Sequence, residues 1–224
     1  MNRITLSLVV AFLLTGCAAS DIAENAVIAP KTVTVAQMAT DGPHFYWYTF
    51  RPNHPITLNE RVFTHNQGQY QASYRWRSGQ LFELYQQGQQ RIDGSLTPFQ
   101  LQLRFDSDGL AVFQRYQQGQ TIVPLTNVEI AKLHRQAVGL AAKVEQLSHH
   151  QHSWVQGHWQ QQRFIPCQQQ QTVEVIAQFN AEKLSGQGYM AVNGQLKGRR
   201  LVVDNVLLQY PHQQCLVAPN LLEK

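Results

Sequence analysis

The run Phe99-Gln100-Leu101-Gln102-Leu103-Arg104-Phe105 constrains this chain more than any other feature, because only an extended strand places all four apolar side chains on one face. A turn at Asp106-Ser107-Asp108-Gly109 then feeds Leu110 to Tyr116, so the pair predicts a hairpin. Tyr70 to Trp76, a turn at Arg77-Ser78-Gly79, and Leu81 to Tyr85 predict another. Both end alike, in Tyr85-Gln86-Gln87-Gly88-Gln89 and Tyr116-Gln117-Gln118-Gly119-Gln120, 31 residues apart. Two copies predict a meander and are too few for a solenoid.

A different period comes next. Thr126 reads as an N-cap with Glu129 as its capping-box partner, and Ile130, Leu133, Ala137, Leu140, Val144 and Leu147 form an apolar helical stripe. From Trp154 onward short β-prone runs return, with turns expected at Asn193-Gly194 and Lys197-Gly198. The expected class is α+β: an antiparallel meander packed by one long amphipathic helix over 44–148, then a small antiparallel β region over 149–224. Whether that region belongs to the same domain is left open.

The N-terminus carries an address. Arg3 precedes an apolar run from Ile4 to Leu14, too short to span a bilayer, so 1–16 reads as a signal peptide removed before folding. Leu14-Thr15-Gly16-Cys17-Ala18 looks like the lipobox of bacterial lipoproteins, with Cys17 accepting a diacylglyceryl group and palmitate. Each buried methylene of such chains contributes about 0.8 kcal/mol, enough to anchor a domain. Residues 17–43 then read as a tether, holding at most a short strand around Thr32 to Val35. Ala18, where inner-membrane retention favours Asp, resembles the outer-membrane class. The expected location is the periplasmic face of a Gram-negative outer membrane.

Removing 1–16 leaves 17 basic and 14 acidic residues, too mild a balance for nucleic-acid binding. The 32 glutamines read as uncharged solvation of exposed faces. With Cys17 consumed by lipid, Cys167 and Cys215 remain as an even pair in an oxidising compartment, which predicts a disulfide.

Several short motifs occur in one order: the lipobox, Tyr74-Arg75-Trp76 with Gly79-Gln80-Leu81, Leu103-Arg104-Phe105-Asp106 with Gly109-Leu110, the helix, Gly157-His158-Trp159, and the late cysteines. This arrangement resembles the uncharacterised YjaH-like lipoproteins of enteric bacteria and vibrios. The resemblance implies a location and transfers no activity.

Candidate sites are few. His149, His150, His152 and His158 put four imidazoles within ten residues; they read first as a solvated linker, and otherwise as ligands for zinc, copper or nickel. Tyr46, Trp47, Tyr48, Tyr74 and Trp76 are either core or a surface for glycan or peptide. No nucleophile elbow, phosphate loop or paired carboxylates emerge, and Asp106 and Asp108 suit a turn. The expectation is therefore a non-enzymatic envelope module with no catalytic residues and no cofactor. Its partners would be the membrane, through lipid, and an envelope protein or peptidoglycan. A periplasmic metal-binding or sensing lipoprotein and an envelope hydrolase are the alternatives.

Overall fold

A computed structural model describes residues 28–149, 154–160, 163–169, 171–177 and 187–222. The first eight strands succeed one another in space as in sequence, each antiparallel to the next. They are β1 (Lys31–Met38), β2 (Pro43–Arg51), β3 (His54–Phe63), β4 (Gln69–Arg77), β5 (Gln80–Ile92), β6 (Ser95–Phe105), β7 (Ala111–Gln118) and β8 (Thr121–Ile122). One helix, α1 (Asn127–His149), leads to β9 (Trp154–Gln160), β10 (Arg163–Pro166), β11 (Glu174–Ala177), β12 (Gly188–Lys197) and β13 (Arg200–Tyr210). These five form a second sheet in the order β10-β9-β12-β13-β11, in which β11 runs parallel to β13.

The first sheet curls because of its alternation. Val35, Tyr46, Leu58, Tyr74, Leu84 and Leu103, one from each of β1 to β6, meet in a single buried cluster that also takes Ile130, Ala137, Ala141 and Val144 of α1. Twist lets the successive strands wrap around that cluster, and the sheet is nearly barrel-shaped. The opposite face of β1 to β3 is apolar as well. Ala36, Phe45 and Phe63 pack with Tyr189, Ala191, Leu207 and Leu208 of the second sheet. That apposition explains the dense aromatics of β2, where Tyr46 and Tyr48 turn inward while Phe45 and Trp47 turn toward Trp154, at ring separations of 4.7 and 6.0 Å.

These findings correct the α+β expectation. Strand makes up 60% and helix 13% of the described residues, in two sheets of which one is nearly barrel-shaped. The physical reason is that the meander buries its apolar face by curling, with only four α1 residues fully buried. Beyond α1 the chain builds a five-stranded sheet that covers the outer side of β1 to β3, where a small appended region was expected.

Two local readings also change. β1 occupies Lys31–Met38, well beyond the short strand allowed in the tether. Asn193-Gly194 is no turn: both residues lie inside β12, where the register against β13 shifts. A Cβ on Gly194 would collide with the Val202 carbonyl, so glycine here permits a bulge and close strand approach.

α1 begins as its cap dictates. Thr126 Oγ1 accepts from the Glu129 backbone N–H at 3.3 Å, and Glu129 Oε2 accepts from the Thr126 N–H at 2.7 Å.

Gly88 in β5 has a steric role, since an added Cβ would run into the Gln69 carbonyl oxygen and the Tyr70 Cα. Gly88→Ala should therefore cost about 2 kcal/mol by forcing β4 and β5 apart. Urea unfolding measures it. A loss below about 0.5 kcal/mol would mean that the strands separate freely.

Candidate functional site

Between the concave face of the first sheet and α1 the apolar packing gives way to polar groups. Leu58, Glu60 and Val62 alternate on β3 and all three are buried, so the strand's period carries a carboxylate into the interior. Glu60 is 2% exposed. Its Oε1 accepts from the Tyr74 hydroxyl at 2.7 Å, and the Tyr74 oxygen in turn accepts from Gln86 Nε2 at 3.2 Å. Burial pushes the Glu60 carboxyl up to about 7; the bond from Tyr74 opposes this, the charge of Asp41 adds to it, and that of Lys143 opposes it.

A second chain of bonds runs beside this one. Gln37 Nε2 donates to the Tyr46 hydroxyl oxygen at 3.1 Å, Tyr46 O is 3.1 Å from His44 Nδ1, and His44 Nε2 is 3.0 Å from Asp41 Oδ1. With Nε2 protonated, His44 donates to Asp41, and its Nδ1 closes the link to the Tyr46 hydroxyl. Burial alone would raise the Asp41 carboxyl, but the hydrogen bond with His44 and its charge hold it below its ordinary value. Burial, followed by the Glu60 charge, raises the Tyr46, Tyr70 and Tyr74 hydroxyls well above their usual range, so they act as neutral donors.

Two adjoining hollows open along these groups. One of about 350 Å³ is lined by Glu60, Tyr46 and Tyr74 among others, and one of about 510 Å³ by Phe99, Leu101, Tyr116, Gln90 and Leu125. They share Asp41, Tyr70, Gln86, Leu133 and Gln136, and so form one cleft with α1 as its wall. At its far side the Tyr116 oxygen accepts from Gln90 at 2.6 Å and from Gln118 at 2.7 Å. Oriented amides and phenols against leucine and phenylalanine hold a molecule with both polar and apolar surface.

The residues singled out from sequence fall elsewhere or in altered roles. Cys17, His150 and His152 lie outside the described residues. Cys167 and Cys215 form the disulfide. His149 is exposed at the end of α1, while His158 sits in β9 with Nε2 3.8 Å from Cys215 Sγ. The compact ligand-type cluster found among the described residues joins His158 to Cys167 and Cys215 and leaves out His149. Both sulfurs of that cluster are tied up in the disulfide and offer no thiolate.

Of the two readings open for the aromatics, core or surface, their burial fits core. Tyr46, Tyr48, Tyr74 and Trp76 are at most 5% exposed, and Trp47 is half-buried between the sheets. Alternation on β2 and β4 sends them into the two cores, from where only Tyr46 and Tyr74 reach the cleft. Glu60, Tyr70, Gln86 and Tyr116 escaped the sequence reading. The one available signal was Glu60, a charge at a core-facing position between Leu58 and Val62.

Comparison with known proteins gives a family without an activity. The family model described as a protein of unknown function (DUF1481) matches residues 34–220, a span that holds α1, the cleft, the second sheet and all of the first but the start of β1. No curated protein and no solved structure matches the chain. By that match over most of its length, the chain belongs to the DUF1481 family of proteins of unknown function.

Proposed function

We propose that this protein is a non-enzymatic envelope lipoprotein, cut before Cys17 and lipid-anchored to the periplasmic face of the outer membrane, that holds a small amphipathic ligand in the cleft beside α1. The lipobox residues Leu14 to Cys17, and the likeness to YjaH-like lipoproteins, support the address. The observation that carries binding is the buried Glu60, fixed by Tyr74 and facing an open hollow with oriented donors around it. A buried carboxylate destabilises a fold unless something repays it, and a ligand donor is a ready source of repayment.

Both halves are testable in cells. Labelled palmitate should enter the wild type and not Cys17→Ser, and the labelled protein should fractionate with the outer membrane. A photoreactive side chain at Gln136, which lines both hollows, should capture a discrete adduct that the same group at Val128, 76% exposed, does not. Palmitate labelling of Cys17→Ser, or equal capture at the two positions, contradicts the proposal.

A further inference from the structure

The outer face of the curled sheet bears a row of side chains that face away from Glu60. Gln71 of β4 pairs with Gln87 of β5, Gln87 with Gln100 of β6, and Gln100 with Gln117 of β7. Four side-chain amides thus stand in one line across four strands, about 4.8 Å apart. The line floors a groove of about 450 Å³ in which Arg61 is the charged lining residue. Arg61 donates to Gln71 Oε1 at 3.3 Å, and its Nε is buried without a partner. Among the described residues, nothing hydrogen-bonds the side chains of Gln87 and Gln100. The groove continues into a hollow of about 470 Å³ that shares Phe63, Gln69 and Gln89 with it. Tyr210 stands there 47% exposed, its ring 6.3 Å from that of Phe63.

This chemistry selects an occupant. Each amide both donates and accepts without charge, and their spacing matches the length of one sugar ring in an extended chain. An exposed phenol ring at one end offers a flat apolar face with a polar tip. Arg61 in the groove and Arg91 in the hollow are the two guanidiniums, and Arg91 already donates to the Asn66 and Gly94 carbonyls, which leaves little for an anionic polymer to bind. An added peptide strand would align with a sheet edge, whereas this row crosses the strands. We propose that the groove binds an extended neutral polysaccharide of β-1,4-linked N-acetylhexosamine that runs along the glutamine row to a terminal ring over Tyr210. Gln87 and Gln100 supply the free amides, since Gln117 already donates to the Gly119 carbonyl and accepts from Arg115. These two amides are the partners for the polymer's acetamide groups, which alternate from edge to edge along such a chain. The glutamine row faces away from Glu60, although the groove and the cleft both touch Tyr70, Gln89 and Phe99, so Gln87→Leu/Gln100→Leu, which changes neither Glu60 nor Gln136, separates this proposal from the cleft's ligand.

Calorimetric titration of the full-length protein in detergent tests it, with β-1,4-linked N-acetylglucosamine dimer and tetramer as probes and a β-1,4-linked glucose tetramer as control. The N-acetylated tetramer should bind saturably and about tenfold more tightly than the dimer, which spans half the row. The double variant Gln87→Leu/Gln100→Leu and, separately, Tyr210→Ala should each weaken tetramer binding about tenfold with unchanged urea midpoints. Should the double variant fail to fold, Tyr210→Ala decides alone. No saturable binding, equal affinity for dimer and tetramer, equal affinity for the glucose tetramer, or unaltered binding by Tyr210→Ala overturns the proposal.

Discussion

Replacing both Cys167 and Cys215 with serine should lower the stability of the folded protein by about 4 kcal/mol, the loop-closure entropy of a bridge spanning 48 residues. For a domain whose whole margin is about 5–15 kcal/mol, that is a large share. The loss should begin in the C-terminal tail, because the bridge joins the end of β10 to the stretch that straps the sheets together. Gln156 holds that stretch at Leu216, accepting from its N–H at 2.6 Å and donating to its carbonyl at 2.8 Å. Beyond it, Ser73 Oγ donates to the Pro219 carbonyl and accepts from the Leu221 N–H, both at 3.4 Å, and Arg75 donates to the Leu222 carbonyl at 3.1 Å. Without the bridge these bonds face the full entropy of a free chain end. Denaturant unfolding with and without a dithiol reductant measures the loss, and hydrogen exchange at Leu216 and Leu221 localises it. A change below about 1 kcal/mol would mean that packing alone fixes the tail.

Glu60→Gln should stabilise the protein at alkaline pH. Raising a carboxyl from 4.5 to about 7 corresponds to about 3 kcal/mol of unfavourable ionisation in the folded state. Proton counts set the sign. Below about 4.5 the group is protonated in folded and unfolded chains, and it contributes no pH dependence. Between there and about 7 the unfolded chain releases the proton while the fold retains it, so stability falls as pH rises; above about 7 the whole cost is present. Glutamine keeps an oxygen for the Tyr74 hydroxyl and does not titrate. The variant should match the wild type near pH 4.5 and exceed it by about 3 kcal/mol at pH 8. Parallel stability curves for the two proteins would show that Glu60 is solvated in solution.

Features set by short-range patterns were legible in the sequence. The alternation from Phe99 to Phe105 is β6, and Asp106 closes its turn by accepting from the Asp108 and Leu110 N–H groups at 2.9 Å. The Thr126 and Glu129 cap is the start of α1, and the two late cysteines are a disulfide. Long-range associations were hidden. β1 is short on apolar contrast and becomes a strand because β2 pairs along its whole length. The aromatics of β2 left core and surface both open because two flanking layers bury them, and one is supplied by residues more than a hundred positions later. β11 joins its sheet through parallel pairing with β13, which no local pattern announces. For the same reason the cleft was invisible: Glu60, Tyr70, Gln86, Tyr116 and Gln136 come from β3, β4, β5, β7 and α1.

Ligand retention in that cleft is best tested by native mass spectrometry of the lipidated protein, released from outer membranes in a mild detergent. Gln136→Trp is the comparison, because Gln136 is exposed on α1, lines both hollows, and a tryptophan there fills the opening without disturbing the buried cluster. The wild type should carry a discrete non-covalent mass at one per chain, and Gln136→Trp should appear without it. A wild type of bare polypeptide-plus-lipid mass, or an adduct kept by the plugged variant, would contradict a ligand held between the curled sheet and α1.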